Sequence, residues 1–188
     1  MINYSDIKEV CHQLDSIDLQ NFVFISAAAF SSDLLFLNED DSSISNLYEA
    51  NIKNNIYLIQ KLLQISLKLE KSKFIYVSSF RADTPSVGTC LYSSSKVFME
   101  KLFESLSIEY SKFNIKFLIL KIGLFEKGLS KNLPFDIEDK KLLKKNIASG
   151  RVSKAEDIIS AIEFMIDNDY INGSTVDMTG KFKFDIKF

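Results

Sequence analysis

Phe74-Ile-Tyr-Val-Ser-Ser79, a loop, and then Tyr92-Ser-Ser-Ser-Lys96 form the stretch that decides how this chain folds. The first run is apolar up to its two serines and reads as a buried strand. The loop, Arg81 to Leu91, is marked by Pro85 and Gly88. A helix is predicted from about Tyr92 to Phe113. Residues four apart on a helix share a face, so Tyr92 and Lys96 point the same way. Ser79 precedes Tyr92 by thirteen positions. A hydroxyl, a phenol and an amine at this spacing suit carbonyl reduction. An ammonium beside a phenol favours the phenolate, which brings the tyrosine pKa toward neutrality and makes Tyr92 a usable proton donor. With 7 tyrosines and 23 Lys+Arg in 188 residues, about one Tyr-x-x-x-Lys/Arg pair is expected by chance. The weight therefore rests on the context of strand, loop and helix. Ser79 sits where functional groups gather in open α/β sheets, at the carboxyl end of a strand.

Outward from this stretch, the chain alternates strands and helices. Ser5 caps a predicted helix with apolar positions Ile7, Val10, Cys11 and Leu14. Phe22-Val-Phe-Ile25 reads as a strand buried on both faces. The small residues Ser26-Ala-Ala-Ala29 follow, where a backbone can approach a ligand closely. A long helical pattern runs from about Ser42 to Glu70. After the central helix comes Ile115-Lys-Phe-Leu-Ile-Leu120, a second two-faced strand. Gly123 to Glu138 is a long connection with a short helix near 140–145 beyond it. Ser153-Lys-Ala-Glu156 has the spacing of a capping box, and Thr175 to Met178 is a last short strand. This order predicts βαβ units with right-handed crossovers: a Rossmann-like, three-layer α/β fold with a mostly parallel sheet, in one domain over residues 1–188.

Composition narrows the function classes. The chain is 46% hydrophobic and 26% charged, with formal net charge −2. No basic patch dominates, which argues against a nucleic-acid partner. His12 is the only histidine, which argues against a histidine metal site or a Ser-His-Asp triad. Cys11 and Cys90 form no framework or metal motif, so a core residue and a loop residue in a reduced, cytoplasmic protein are expected. No apolar run reaches membrane-spanning length, and the polar start Met1-Ile-Asn-Tyr-Ser-Asp6 has no signal-peptide core.

The order and spacing of several motifs resemble the short-chain dehydrogenases/reductases, with the 3-oxoacyl-acyl-carrier-protein reductases as the nearest general pattern. Asn3-Tyr-Ser-Asp6 looks like the segment after the family's third strand. Phe22–Ala29 aligns with the strand ending in Asn-Asn-Ala-Gly. Glu49-Ala-Asn51 matches the segment of the catalytic asparagine, and Ser79, Tyr92 and Lys96 match the other three members of that tetrad. Leu120-Lys-Ile-Gly123 stands where the family has Pro-Gly. Ala148-Ser-Gly-Arg151, Asp157, Tyr170-Ile-Asn-Gly173 and Asp177-Met-Thr-Gly180 resemble the closing motifs.

The resemblance implies an oxidoreductase using NADP or NAD on a small carbonyl or alcohol substrate. Tyr92 would donate the proton. Lys96 would lower the Tyr92 pKa and bind the nicotinamide ribose. Ser79 would polarise the carbonyl, and Asn51 would hold a water leading to Lys96. Asn3, Ala27, Ala28 and Gly123 complete the implied cofactor contacts, and Gly123 to Lys145 matches a mobile substrate lid. The departures are specific. Met1 falls at the end of the family's third strand, so the fold is expected to be N-terminally truncated. None of the 6 glycines forms the glycine-rich turn that cradles the cofactor pyrophosphate. Weakened cofactor binding is expected from that. In the family's strand order, Phe22–Ile25 becomes an unprotected edge, which predicts a homo-oligomer or dependence on a partner. The competing expectation is a catalytically impaired remnant serving as a binding subunit, or a truncated gene product.

Overall fold

The computed structural model describes residue 9, residues 20–125 and residues 146–181. The predicted helix from Ser5, Cys11, His12, the cofactor candidate Asn3 and the short helix near 140–145 lie outside the described residues, as does most of the expected lid.

Four parallel strands form one sheet in the order β1 (Asn21–Ser26), β2 (Lys71–Ser79), β3 (Ile115–Ile122) and β4 (Thr175–Met178). Helices α1 (Asp41–Tyr48), α2 (Asn54–Ser66), α3 (Cys90–Glu109) and α4 (Ala155–Asp167) connect them. The period of two along the strands sorts the core onto two faces. Phe74, Tyr76, Phe117 and Ile119 pack with Ile59, Leu62, Met99 and Phe103 of α2 and α3. Ile75, Leu118 and Leu120 turn the other way, onto Ala161 and Met165 of α4. These are the three layers expected. The aromatic centre is tight, with the Phe74 and Phe117 rings stacked at 5.0 Å and Phe103 edge-on to Phe117 at 5.7 Å.

The strand β1 differs from its expectation of burial on both faces. Val23 and Ile25 are 40% and 39% exposed, while Phe22 and Phe24 pack edge-on against Phe74. The cause is coverage: α4 packs against β3 and β4, and no described helix covers the Val23–Ile25 face. Among the described residues β1 is an edge strand.

The long helical pattern also differs in detail. It is one continuous helical run, Asp41 to Ser66, interrupted by a π turn over Glu49–Lys53. A π turn inserts a residue and leaves carbonyls unmatched, and such turns cluster at functional sites. Asn55 meets that need, donating from Nδ2 to the Ala50 and Asn51 carbonyls at 3.1 Å each and accepting the Ser26 hydroxyl at 2.5 Å. It thereby ties the end of β1 to the turn. The α4 cap is shifted one residue from the expected box. Ser153 donates instead to the Leu124 carbonyl, and the Asp157 carboxylate accepts the Lys154 N–H at 2.8 Å. Arg151 forks onto the same carboxylate at 2.5 and 2.7 Å and holds it far below the usual carboxylate range.

Candidate active site

The carboxyl end of β2 and the first turn of α3 bring Ser79, Tyr92 and Lys96 together. Ser79 is the last residue of its strand and also caps the 3₁₀ turn Phe80–Ala82, accepting the Arg81 N–H at 3.2 Å. That bond fixes the hydroxyl on the side facing α3. Tyr92 lies in the first turn of α3, which begins at Cys90, an exposed helical residue rather than the loop residue expected. The Ser79 hydroxyl lies near enough to the Tyr92 phenol to favour its ionised form.

The electrostatics correct one expectation. Burial raises the Tyr92 pKa, with the Ser79 hydroxyl opposing, the Asp33 charge adding to the rise and Arg81 opposing it. The ammonium of Lys96 does not hold this phenol down. Its Nζ lies over the Tyr92 ring at 5.5 Å and over the Tyr76 ring at 4.9 Å, and donates to the Val77 carbonyl at 3.0 Å. Helical spacing placed both residues on one face, but the flexible lysine stem carries its charge past the hydroxyl. Lys96 is 3% exposed. Burial lowers its pKa to about 8, and the Glu100 carboxylate one turn further along α3 opposes that drop.

Glu100 belongs to a polar layer beneath the site. Ser78 donates to it at 2.5 Å and Lys121 of β3 lies 3.2 Å away. Lys121 also grips both Asp83 oxygens, at 2.7 and 2.8 Å, which ties the turn after Ser79 to the neighbouring strand.

Asn51 is 1% exposed, inside the π turn. Its side chain clamps Phe30, accepting the backbone N–H at 2.7 Å and donating to the carbonyl at 2.9 Å. Its remaining donor reaches Ser95 at 3.0 Å, and Ser95 donates to the Tyr92 carbonyl at 2.7 Å. Through Ser95, Asn51 is linked to the Tyr92 backbone. Asn51 thus orders both the Ala27–Phe30 segment and the first turn of α3. Sequence reasoning passed over Ser95; its place between Tyr92 and Lys96 was the available signal.

Ala27 and Ala28 leave the end of β1 with exposed, minimal side chains. Gly123 has a local reason for being glycine. A Cβ there would lie 2.3 Å from the Thr179 carbonyl oxygen, which is backbone and cannot swing away. Gly123→Ala is therefore expected to cost about 1–3 kcal/mol by overpacking. Thermal unfolding with a midpoint unchanged from wild type would refute that reading.

Comparison with known proteins agrees with this geometry. Residues 5–137 match the short chain dehydrogenase family. The 3-oxoacyl-acyl-carrier-protein reductase of Buchnera aphidicola is 27% identical over 176 residues, covering 93% of this chain and 70% of that one. Carbonyl reductase family member 4 of Xenopus laevis is 23% identical over 173 residues, covering 92% and 70%. A gluconate 5-dehydrogenase from Burkholderia cenocepacia, solved with NADP and tartrate, superposes with a TM-score of 0.87 at 16% identity over 95% of this chain and 71% of that one. The match across residues 5–137, around a Ser79–Tyr92 pair backed by a buried Lys96, makes this chain a member of the short-chain dehydrogenase family of oxidoreductases.

Proposed function

We propose that this chain interconverts a ketone and a secondary alcohol with NADP or NAD as the hydride carrier and Tyr92 as the proton donor and acceptor. The observation that carries the reading is the convergence of Ser79, at the carboxyl end of β2, with Tyr92 and the buried Lys96 of α3. A strand end and a helix start converge there to hold two hydroxyls on one small group.

The residues fit the nicotinamide-ribose end of such a cofactor. Lys96 spends one donor on Val77, and an ammonium has three, which leaves two for a diol. Ala27 and Ala28 leave room beside the Asn51 clamp. No described residue supplies a glycine-rich cradle for the pyrophosphate. Bound at this end, the nicotinamide would supply or accept the hydride. Ser79 then orients the carbonyl oxygen, and Tyr92 transfers its proton as charge grows on that oxygen. Arg81, which opposes the rise in the Tyr92 pKa, favours the phenolate left behind. An ordered Ser79–Tyr92 contact also weighs against a decayed, non-catalytic subunit.

The proposal makes a pH prediction. A phenol raised above its ordinary value stays protonated through neutral pH, so the reduction direction is favoured. Lys96 carries its charge below about 8. The rate of reduction is expected to be level from about pH 6 to 7.5 and to fall above about 8 as that charge is lost. Initial rates of NADPH and NADH oxidation with a ketone, across this range, test it. A profile level to pH 10 would contradict the role given to Lys96.

A further inference from the structure

Arg81 belongs to none of the sequence motifs, and its charge near Tyr92 leaves its hydrogen-bonding fork without a task in the hydride chemistry. Two residues beyond Ser79, it shares the 3₁₀ turn that the Ser79 hydroxyl caps. It is half-buried, and its guanidinium rests 4.5 Å from the centre of the Phe80 ring. Among the described residues its side chain makes one long hydrogen bond, Nη1 to the Thr84 carbonyl at 3.4 Å. A guanidinium has five N–H donors in a planar fork. Among the described residues no carboxylate forms an ion pair with it. Asp33, exposed on the opposite loop, acts on it only through space, and its Oδ1 is taken by the Ser31 hydroxyl at 2.5 Å. Arg81 is close enough to Tyr92 for its charge to bear on the phenol.

A partly desolvated guanidinium with open donors is matched by a carboxylate, whose two oxygens meet the fork in parallel. Resting on the proposed oxidoreductase reading, we infer that Arg81 binds a carboxylate on the substrate, so that the site takes a small oxo acid or the corresponding hydroxy acid. The reacting carbonyl sits between Ser79 and Tyr92, and the carboxylate, a few bonds away, reaches the turn that Ser79 caps. A free acid would set this chain apart from the acyl-carrier-protein reductases among its relatives. The Phe80 ring fixes the plane of the fork, which lowers the entropy lost on binding. Asp33 is the opposing charge in the same space: it repels an acid and keeps Arg81 protonated.

The test is a binding titration that does not depend on turnover. Acetoacetate and its neutral methyl ester are titrated onto the full chain by calorimetry or chemical-shift change, with and without NADPH. Wild type is expected to bind acetoacetate saturably and more tightly than the ester. Arg81→Ala is expected to weaken acetoacetate about tenfold or more and to leave the ester unchanged, given the strength of a charged hydrogen bond. Asp33→Asn is expected to tighten acetoacetate. If acid and ester bind alike, or Arg81→Ala leaves acetoacetate unaffected, the inference is wrong. It is equally wrong if Arg81→Ala weakens NADPH alone, because the anion served would be on the cofactor. Loss of acid binding in both Arg81→Ala and Asp33→Asn would reduce the pair to a structural contact. The oxidoreductase reading fails separately, if wild type oxidises no reduced cofactor with either compound while still binding acetoacetate.

Discussion

Tyr92→Phe is expected to lower the rate of carbonyl reduction about 10²–10⁴-fold while leaving the fold and the binding of cofactor in place. Two magnitudes separate the chemical role from a structural one. Losing the phenol hydroxyl removes at most one polar contact near Ser79, and a single hydrogen bond is worth about 1 kcal/mol. Losing a proton donor at the reacting oxygen costs about 3–5 kcal/mol of barrier for the rate ratio above. The second effect therefore dominates, and it appears in kcat rather than in the melting temperature. The ring itself stays, so the apolar contacts of the first turn of α3 are kept. Steady-state oxidation of NADPH, run beside a thermal scan and a cofactor titration, measures all three. A variant that turns over within tenfold of wild type would remove Tyr92 from the reaction. A variant that melts much earlier would show that the hydroxyl holds the loop after Ser79, and Ser79→Ala would then melt early as well.

The reach of the sequence is best judged strand by strand. The strands β2 and β3 were legible because both of their faces are covered, which leaves continuous apolar runs such as Phe74–Val77 and Phe117–Leu120. The strand β1 carries the same type of run, but its surroundings differ, and Val23 and Ile25 are exposed. An apolar run records composition, and coverage is set by elements far away in sequence. The parallel pairing of the strands followed from their alternation with helices.

Within the site, spacing placed Ser79, Tyr92 and Lys96 but did not fix their electrostatics. The four-residue spacing puts Tyr92 and Lys96 on one helix face, yet the Lys96 charge ends on the Val77 carbonyl. No local rule predicts the endpoint of a four-carbon stem. The π turn around Asn51 was hidden for a related reason. A π turn has no compositional mark, and its compensation by Asn55 depends on Ser26, twenty-nine residues away in the chain. Asn51 could be read as a functional position, while its actual partners, Phe30 and Ser95, required three dimensions. Arg81 sits in an irregular turn, where periodicity is silent.

Lys73 extends this argument to stability. From sequence it is a charge at the start of an apolar strand. In the fold it is 1% exposed, and its ammonium caps the far end of α4 across the sheet. It donates to the carbonyls of Met165 at 3.2 Å, Ile166 at 2.5 Å and Asn168 at 2.8 Å, and lies 3.0 Å from the Asp169 carboxylate. The last turn of a helix has carbonyls with no intrahelical donor and a partial negative charge. Here both are answered by one side chain from another layer. Lys73→Met keeps most of the stem and the packing but strips the donors from a buried cluster of carbonyls. Breaking such a buried charged contact costs about 3–5 kcal/mol, so the melting temperature should fall by about 10 °C in a chain of this size. Asp169→Asn should shift it far less, because that carboxylate is 64% exposed and salt and water screen it. Below the melting transition, Lys73→Met should reduce carbonyls at the wild-type rate, because Lys73 lies toward the amino end of β2 and Ser79 closes its carboxyl end. An unchanged melting temperature would mean that the end of α4 is held by something other than this lysine. A parallel loss of rate at low temperature would mean that the two ends of β2 are coupled through the sheet.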